Sequence, residues 1–249
     1  MNLSGTTVLV TGATRGIGRE LTRQLVDLGA RVVAAGRDRA ALDDLVAEHR
    51  DRIAPWRVDL ADPAAVDALV RDLPGRHPTL SAVVNNAAVQ TRTDFLSGDP
   101  AALHPVLRRE IAVNLDAVIA LSTGLLPHLR TRPAAAIVNI TTGLALAPKP
   151  SAPVYCATKA AVRSFSRALR YQVQDAAPQI RVIEAVMPLV DTDMTRERGG
   201  GKISPAAAAH AVLDAVRRDQ AEAAIGKVRL LRTVMRLSPT LGYRLLRNQ

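Results

Sequence analysis

A tyrosine and a lysine stand four residues apart in the second half of the sequence, at Tyr155 and Lys159. Because side chains at positions i and i+4 share one face of a helix, we expect the phenol and the ammonium to be neighbours. A phenol with a pKa of about 10 is a poor base at neutral pH, and a nearby positive charge lowers that pKa. The pair therefore predicts a tyrosine that exchanges a proton with an oxygen of a substrate.

A glycine-rich segment, Thr-Gly-Ala-Thr-Arg-Gly-Ile-Gly at residues 11–18, directly follows the β-branched run Thr7–Val10. Gly12 permits a tight turn, Gly16 lets the backbone approach a pyrophosphate, and Gly18 permits close helix packing. The N-terminus of the helix that starts here offers N–H groups and partial positive charge to phosphates. The segment predicts a dinucleotide site, and the alternative is an ordinary glycine-rich turn.

Two arginines indicate which dinucleotide binds. The second strand-like run ends at Gly36 and Arg37, where an acidic residue would hold the 2′-hydroxyl of NAD. Arg15 in the glycine loop is a second cation on the same side. Two guanidinium groups suit a 2′-phosphate, so we expect NADP(H) rather than NAD(H). Asp38 speaks for NAD(H), but we interpret it as the N-cap of the next helix.

Short apolar runs alternate with longer amphipathic stretches along the chain. The predicted strands are Thr7–Val10, Arg31–Ala35, Arg57–Val58, Ala82–Val84, Ala136–Ile140 and Arg181–Val186. The predicted helices are Gly16–Leu28, Arg39–Arg50, Pro63–Leu73, Pro105–Leu129 and Val154–Asp175. This alternation predicts an α/β fold, a doubly wound parallel sheet with helices on both faces, in which ligands bind beyond the carboxyl ends of the strands.

The composition fits one folded domain of 249 residues, with 48% hydrophobic and 22% charged residues. The single Cys156 excludes an internal disulfide, and neither it nor the five scattered histidines predicts a metal site. No apolar run is long enough to span a bilayer, and no signal peptide is recognisable. We therefore expect a soluble, cytoplasmic protein.

The net charge of +10 is unevenly distributed, since residues 196–249 hold 11 basic and 4 acidic side chains. Within them, the basic C-terminal segment 226–249 has no acidic residue. Such a segment can form an amphipathic helix on an anionic membrane or dock an acidic protein. We favour a terminal helix that packs on its own subunit or on an oligomeric neighbour. No nucleic-acid reading motif accompanies the charge, so we expect no nucleic-acid partner.

Taken in order, the glycine loop, Asn85–Ala87, Asn114, Thr142, Tyr155 and Lys159 make the chain resemble the short-chain dehydrogenase/reductase family from end to end. Residues 142–148 and 153–159 are similar to its DltE-type bacterial oxidoreductases. The resemblance implies a single-domain extended Rossmann fold that transfers a hydride between nicotinamide and a small carbonyl or secondary alcohol substrate. It also implies a homodimer or homotetramer.

The resemblance assigns roles to individual residues. Tyr155 is the general acid/base, Lys159 also bonds the nicotinamide ribose, Thr142 steadies the substrate oxygen, and Asn114 holds a water in a proton relay. The implied cofactor contacts are Gly12, Thr14, Arg15, Gly16, Ile17, Gly18, Arg37, Asp59, Leu60, Asn86, Ala87, Tyr155, Lys159, Val190 and Thr192. An alternative interpretation of Asp59 is a cap for the helix that starts at Pro63.

The sequence departs from the family pattern at three places. Thr142 replaces the usual serine, with Thr141 as an alternative hydroxyl one residue further from Tyr155. Ala88 replaces a glycine and would need a changed backbone angle if that glycine had positive φ. Met187–Pro188 replaces a Pro-Gly pair before the nicotinamide loop, which places Thr192 at the carboxamide position.

The segment 192–204, with its three glycines, is the predicted substrate lid, and the aliphatic residues around the pocket favour an apolar carbonyl over a sugar. A different function is a non-catalytic NADP-binding sensor or scaffold on the same fold. The intact set of Asn114, Thr142, Tyr155 and Lys159 favours the enzyme.

Overall fold

The apolar runs of the sequence form one parallel sheet in the computed structural model, which describes residues 1–247. Its strands are β1 (Thr7–Thr11), β2 (Arg31–Gly36), β3 (Ile53–Arg57), β4 (Leu80–Asn85), β5 (Ala135–Thr142), β6 (Ile180–Met187) and β7 (Glu222–Ala224). They lie in the order β3-β2-β1-β4-β5-β6-β7, and all neighbouring pairs are parallel. The chain therefore reverses its direction of travel across the sheet between β1 and β4.

Helices cover both faces of this sheet. They are α1 (Gly16–Asp27), α2 (Arg39–His49), α3 (Pro63–Arg76), α4 (Pro100–Ile111), α5 (Ala117–Gly124), α6 (Leu126–Leu129), α7 (Pro153–Ala176), α8 (Pro205–Arg217), α9 (Val228–Leu237) and α10 (Pro239–Arg247). Alternate residues of β1 enter opposite cores: Val8 and Val10 pack with α1 and α8, whereas Leu9 packs with α3, α5 and α7. The predicted doubly wound architecture is confirmed. Among residues 1–247, no helix has both the length and the apolar character needed to cross a membrane.

Two strands differ from the prediction. The third strand was expected at Arg57–Val58, but β3 occupies Ile53–Arg57. It is an edge strand whose outer side chains meet solvent, so Pro55 is tolerated there and breaks the apolar pattern that would have revealed the strand. Strand β7 was not predicted, because its three residues Glu-Ala-Ala carry no β-branched side chain.

The long helix expected at Pro105–Leu129 is interrupted. It begins earlier, at Pro100, passes through a π-helical turn at Ala112–Asp116 and continues as α5 to Gly124. A Cβ on Gly124 would lie 2.5 Å from Cγ1 of Val70, so α5 approaches α3 too closely there for a side chain. The close packing of α5 against α3 explains the glycine at which the helix stops.

Glu222 on β7 joins several arginines at the sheet edge. Its carboxylate accepts hydrogen bonds from Arg167 at 2.6 Å and from Arg232 at 2.7 Å. Arg163 bonds both Glu222, at 3.4 Å, and the buried Glu184, at 2.6 Å. Since Arg232 belongs to α9, this cluster fastens the basic C-terminal segment to its own sheet.

The basic C-terminal segment 226–249 forms two helices, α9 and α10, where we expected one. The bond from Arg232 to Glu222 and the burial of Val228 place α9 against its own subunit, which is one of the two arrangements we favoured. Packing on an oligomeric neighbour stays a prediction. The last two residues of the segment, Asn248 and Gln249, lie outside the described residues.

Replacing Glu222 with Gln should lower the free energy of unfolding by about 2 kcal/mol, because four arginines lose a charged partner that is only 14% exposed. Urea denaturation measures the change. The matched control is Glu48→Gln, which breaks one exposed ion pair with Arg19 and should cost less than about 1 kcal/mol. Equal losses in the two variants would contradict a structural role for the Glu222 cluster.

Candidate active site

A cavity of about 1270 Å³ lies at the carboxyl ends of the strands, where the sheet order reverses between β1 and β4. A crevice of this kind is where open α/β sheets bind ligands. Its volume exceeds the roughly 300–1,000 Å³ of an ordinary small-molecule pocket. The cavity therefore has room for a dinucleotide together with a second small molecule.

The glycine loop forms one wall of the cavity as the sequence predicted. Gly12 and Gly16 have φ angles of +65° and +53°, in the left-handed region that glycine enters without strain. A Cβ on Gly18 would lie 2.0 Å from the carbonyl oxygen of Gly12, so no side chain fits there. Arg15, the N-cap of α1, gives no side-chain acceptor to the first turn. The first N–H groups of α1 are thus available to phosphate oxygens, and the loop fits a dinucleotide.

Asn86 holds the loop after β4 against the glycine loop. Its Nδ2 donates to the carbonyl oxygen of Thr11 at 2.9 Å. The hydroxyl of Thr11 in turn accepts from the backbone N–H groups of Asn86 and Ala87, both at 3.0 Å. Ala88 does not have positive φ, so the alanine meets no backbone strain at the position where the family has glycine.

The two arginines expected at the cofactor ribose lie at the mouth of the cavity. Arg15 and Arg37 both line it, and within residues 1–247 neither has a carboxylate within 4.0 Å. Asp38 caps α2, with its carboxylate accepting from the N–H of Ala41 at 3.2 Å. The helix-cap interpretation of Asp38 is confirmed, and the two guanidinium groups remain unpaired.

Asp59 also lines the cavity, beside Leu60, but it has a partner that the sequence did not reveal. Its carboxylate accepts from Arg109 at 2.8 Å and from the N–H of Ala61 at 3.0 Å. Partial burial opposes ionisation, yet these bonds outweigh it and lower the pKa of Asp59. The cap of α3 is Asp62 instead, which accepts from Ala64 at 3.0 Å. The alternative interpretation of Asp59 as that cap is therefore wrong.

Tyr155 and Lys159 project from the first turns of α7 toward the cavity, with the Lys159 Nζ 5.9 Å from the centre of the phenol ring. Lys159 is 3% exposed and donates to the carbonyl oxygen of Ile140 at 2.9 Å. Burial lowers the pKa of Lys159 to about 8. The expected neighbours are thus in place.

The pKa of Tyr155 is not lowered, as the neighbouring Lys159 led us to expect, but raised. Burial raises the pKa of Tyr155 to about 12, because the phenolate loses hydration. The cation that opposes this rise is Arg198, from the segment after β6. Desolvation therefore dominates the ionisation of the phenol.

The structure distinguishes the two candidate hydroxyl groups. Thr141 is buried and its hydroxyl donates to Oε1 of Glu184 at 2.6 Å. Thr142 is half-buried at the cavity wall, where its oxygen accepts only a long bond of 3.4 Å from the N–H of Leu144. Thr142 is therefore the hydroxyl available to a bound molecule.

Asn114 is the one expected catalytic residue that does not line the cavity. It lies in the π-helical turn, fully buried, and bonds both backbone groups of Val89, accepting at 2.9 Å and donating at 2.8 Å. Its amide also reaches the hydroxyl of Thr158 at 3.4 Å. Asn114 thus fixes the segment after β4 from behind the cavity wall.

The segment after β6 forms the opposite wall. Val190 and Thr192 line the cavity, as expected for nicotinamide contacts. The methyl group of Thr192 would be 3.1 Å from a Cβ on Gly16, so the two walls meet there. Ile203 exchanges backbone bonds with the strand end, donating to Leu189 at 3.1 Å and accepting from Asp191 at 2.9 Å. These bonds close the base of the segment 192–204.

Sequence reasoning missed several residues of the cavity wall, notably Gln90, Lys149, Val228 and Leu246. Their types carry no motif, and they come from four separate parts of the chain. Only the packing of these distant segments brings them to the cavity that Tyr155 also lines. For Arg198 the sequence left two interpretations, a contact to an anionic substrate or a solvated loop residue, and we favoured the second; the structure places Arg198 in the cavity wall.

Comparison with known proteins agrees with this geometry. The model of the short chain dehydrogenase family matches residues 6–202. The uncharacterized oxidoreductase DltE of Bacillus subtilis is 40% identical over 197 residues, covering 79% of this chain and 76% of the relative. A short chain dehydrogenase from Burkholderia cenocepacia in complex with NADP is 26% identical and has a TM-score of 0.86, with 99% of each chain covered.

A second solved structure shows that the neighbours differ in cofactor. The 3-ketoacyl-(acyl-carrier-protein) reductase from Brucella melitensis, complexed with NADH, is 25% identical and has a TM-score of 0.77. The alignment covers 86% of this chain and 91% of that one. From the family match, the shared fold and the assembled site, the chain belongs to the short-chain dehydrogenase family of NAD(P)-dependent oxidoreductases.

Proposed function

We propose that the protein is an NADP(H)-dependent oxidoreductase that interconverts a small carbonyl compound and a secondary alcohol. The observation that carries the proposal is that Tyr155, Lys159 and Thr142 line the same cavity as the glycine loop. When bound, the nicotinamide supplies or accepts the hydride. The side chains of this chain bind and orient the two molecules and move the proton.

In reduction, the carbonyl oxygen gains negative charge and needs a proton. Tyr155, whose pKa burial raises to about 12, carries its proton at neutral pH and would give it to that oxygen. The hydroxyl of Thr142 bonds the same oxygen and holds it near the phenol. Lys159 would bond the nicotinamide ribose when the cofactor is bound, and its positive charge would favour the phenolate that is left behind.

Asn114 has a positioning role in this proposal. By bonding both backbone groups of Val89, it sets the path of the chain that follows Asn86 and Ala87. The water relay implied by the family would run from Asn114 toward Lys159. The segment 192–204 would close over the substrate, moving about its glycines while its base stays fixed.

The preference for NADP(H) rests on Arg15 and Arg37. Each is exposed at the mouth of the cavity without a carboxylate partner in the described part of the chain. A 2′-phosphate would bond both guanidinium groups, whereas the 2′-hydroxyl of NAD would leave two like charges uncompensated. A sensor or scaffold would be favoured if the catalytic Tyr or Lys were missing, but this chain keeps both Tyr155 and Lys159.

Tyr155→Phe should reduce turnover about 10²–10⁴-fold, because the phenyl ring keeps the packing but has no proton to give. NADPH oxidation with a panel of ketones and aldehydes measures turnover, and NADPH fluorescence measures binding. Binding should remain within a few fold of the wild type. The sensor interpretation would gain if the wild-type protein bound NADPH without turning over any carbonyl compound.

Arg37→Asp should reverse the cofactor preference. NADPH should bind about 10–100-fold more weakly, from loss of a charge-assisted bond and added repulsion, while NADH should bind more tightly. Titration of both cofactors into both proteins provides the ratio. Arg71→Asp, an equal charge change on exposed α3, is the control and should leave that ratio unaltered. Tighter binding of NADH by the wild type would defeat the proposed preference.

The buried ammonium of Lys159 should make stability rise with pH. Its pKa in the folded state, about 8, lies below the ordinary 10.5, so between these values the unfolded chain binds more protons. Relative to Lys159→Met, the wild type should therefore gain about 2–3 kcal/mol between about pH 7 and about pH 10. Tyr155 is common to both proteins and cancels.

Urea denaturation of the cofactor-free proteins at several pH values measures that difference. Lys202→Met controls for the loss of a lysine charge, since Lys202 forms an ion pair with the exposed carboxylate of Asp191. A stability difference that is constant over this range would show that Lys159 is not desolvated as the structure indicates.

A further inference from the structure

We propose that Lys149, Arg198 and Gln90 form an anion-binding subsite beside Tyr155, so that the substrate is a short carbonyl compound bearing a carboxylate or sulfonate group. The inference rests on the proposed function, because it names the class of carbonyl compound on which Tyr155 would act. The anionic group takes no part in the bond changes. It anchors one end of the molecule and enters and leaves the cavity unchanged.

The three residues come from separate parts of the fold and line one cavity with Tyr155. Gln90 follows β4, Lys149 precedes α7, and Arg198 follows β6. The guanidinium of Arg198 donates to Oε1 of Gln90. The other amide atom of that side chain, Nε2, is buried and has no hydrogen-bond partner among the described residues. An unused buried donor thus lies next to an arginine.

Lys149 is 7% exposed, and no carboxylate lies within 4.0 Å of its ammonium in the part of the chain that the structure describes. A buried charge without a counter-ion costs free energy. The pKa of Lys149 is lowered by burial first, and then by the positive charges of Arg198 and Arg92. The structure therefore gathers like charges at this end of the cavity, and a bound anion would relieve both their repulsion and their desolvation.

The two other cations of the segment 192–204 have acidic partners. Arg196 pairs with Asp193, and Lys202 pairs with Asp191 at 3.3 Å. Arg198 alone among the three lines the cavity, and within residues 1–247 it has no acidic partner. Of these three cations, the unpaired one is therefore Arg198, which lines the cavity.

The buried carboxyl group of Glu110 does not neutralise the cluster. The negative charge of Glu110 raises the pKa of Tyr155. Its Oε2, however, accepts from the N–H of Thr91 at 3.1 Å, and Glu110 forms no ion pair with Lys149 or Arg198. Burial raises the pKa of Glu110, which disfavours its charged form. It also does not line the cavity.

The phosphates of a dinucleotide have their own place, at the glycine loop with Arg15 and Arg37. The anion at Lys149 therefore belongs to the second molecule in the cavity. Aliphatic side chains, Leu144, Leu189 and Leu246, supply much of the remaining lining. This wall suits a short hydrocarbon that joins the reacting carbonyl to its charged end.

A matched series of ketones tests the subsite. Acetoacetate, 2-oxopropane-1-sulfonate and methyl acetoacetate share one skeleton and differ in the terminal carboxylate, sulfonate or neutral ester. With NADPH and the wild type, at least one anionic ketone should have a kcat/KM about 10-fold or more above the ester. The ratio of the two anionic ketones identifies which anion fits. An ester used as well as both anions would overturn the proposal.

Lys149→Met should lower kcat/KM for the anionic ketone about 10–100-fold, mainly through KM, and leave the ester within a few fold. Arg198→Met should lower kcat/KM for the anionic ketone more than for the ester, and it should also affect the ester because the charge of Arg198 acts on Tyr155. Arg218→Met removes an equal charge from the exposed end of α8 and should change neither substrate. Lys149→Met should also keep or raise the Tm of the unliganded protein, since it removes an uncompensated buried charge. A lowered Tm with equal losses on both substrates would assign Lys149 a structural role and overturn the proposal.

Calorimetric titration of malonate, which lacks a reducible carbonyl, separates the subsite from the proposed reaction. The wild type should bind malonate in the presence of NADP⁺, and Lys149→Met and Arg198→Met should bind it about 10-fold or more weakly. If malonate binds in this way but no ketone is turned over, the subsite stands and the proposed function fails. Absence of malonate binding by the wild type would overturn the subsite.

Discussion

The close passage of Gly18 over the carbonyl oxygen of Gly12 determines where the rest of the site lies. Only hydrogen at that Cα lets α1 begin directly after β1, because a Cβ would be 2.0 Å from the oxygen. The loop after β4 then packs on the same turn, held by Asn86. Since β1 and β4 flank the reversal of the sheet, this contact aligns the N-terminus of α1 with the strand ends that carry the reactive side chains.

Those side chains are held mainly by backbone atoms. Lys159 bonds the carbonyl of Ile140, and Asn114 bonds both groups of Val89. Deeper in the sheet, the side chain of Asn139 accepts a hydrogen bond from Asn85 at 2.8 Å and donates one to Ser166 on α7 at 2.9 Å. Each buried amide thus ties a helix or loop to a strand end, which fixes the positions of α7 and the cavity wall without using the reactive hydroxyl groups.

What the sequence could predict follows from distance along the chain. The strand-to-helix glycine turn and the i, i+4 pair of Tyr155 and Lys159 are local patterns, so their geometry follows from backbone periodicity alone. Strand β3 was misplaced because Pro55 obscures an edge strand, and β7 because its pairing with β6 leaves no mark on its composition. Such elements exist only because a neighbouring strand accepts them.

Contacts between distant segments could not be predicted from the sequence for the same reason. Arg109 meets Asp59 across 50 residues, and Gln90 meets Arg198 across 108. The direction of the pKa shift of Tyr155 was also beyond reach, because it depends on burial rather than on the spacing to Lys159. The role of an individual arginine becomes clear only when its partner in the fold is known. At Glu222, the ion pair with Arg232 holds α9 in place. At both ends of the cavity, where the arginines that line it have no carboxylate within 4.0 Å among residues 1–247, the positive charge is available to ligands.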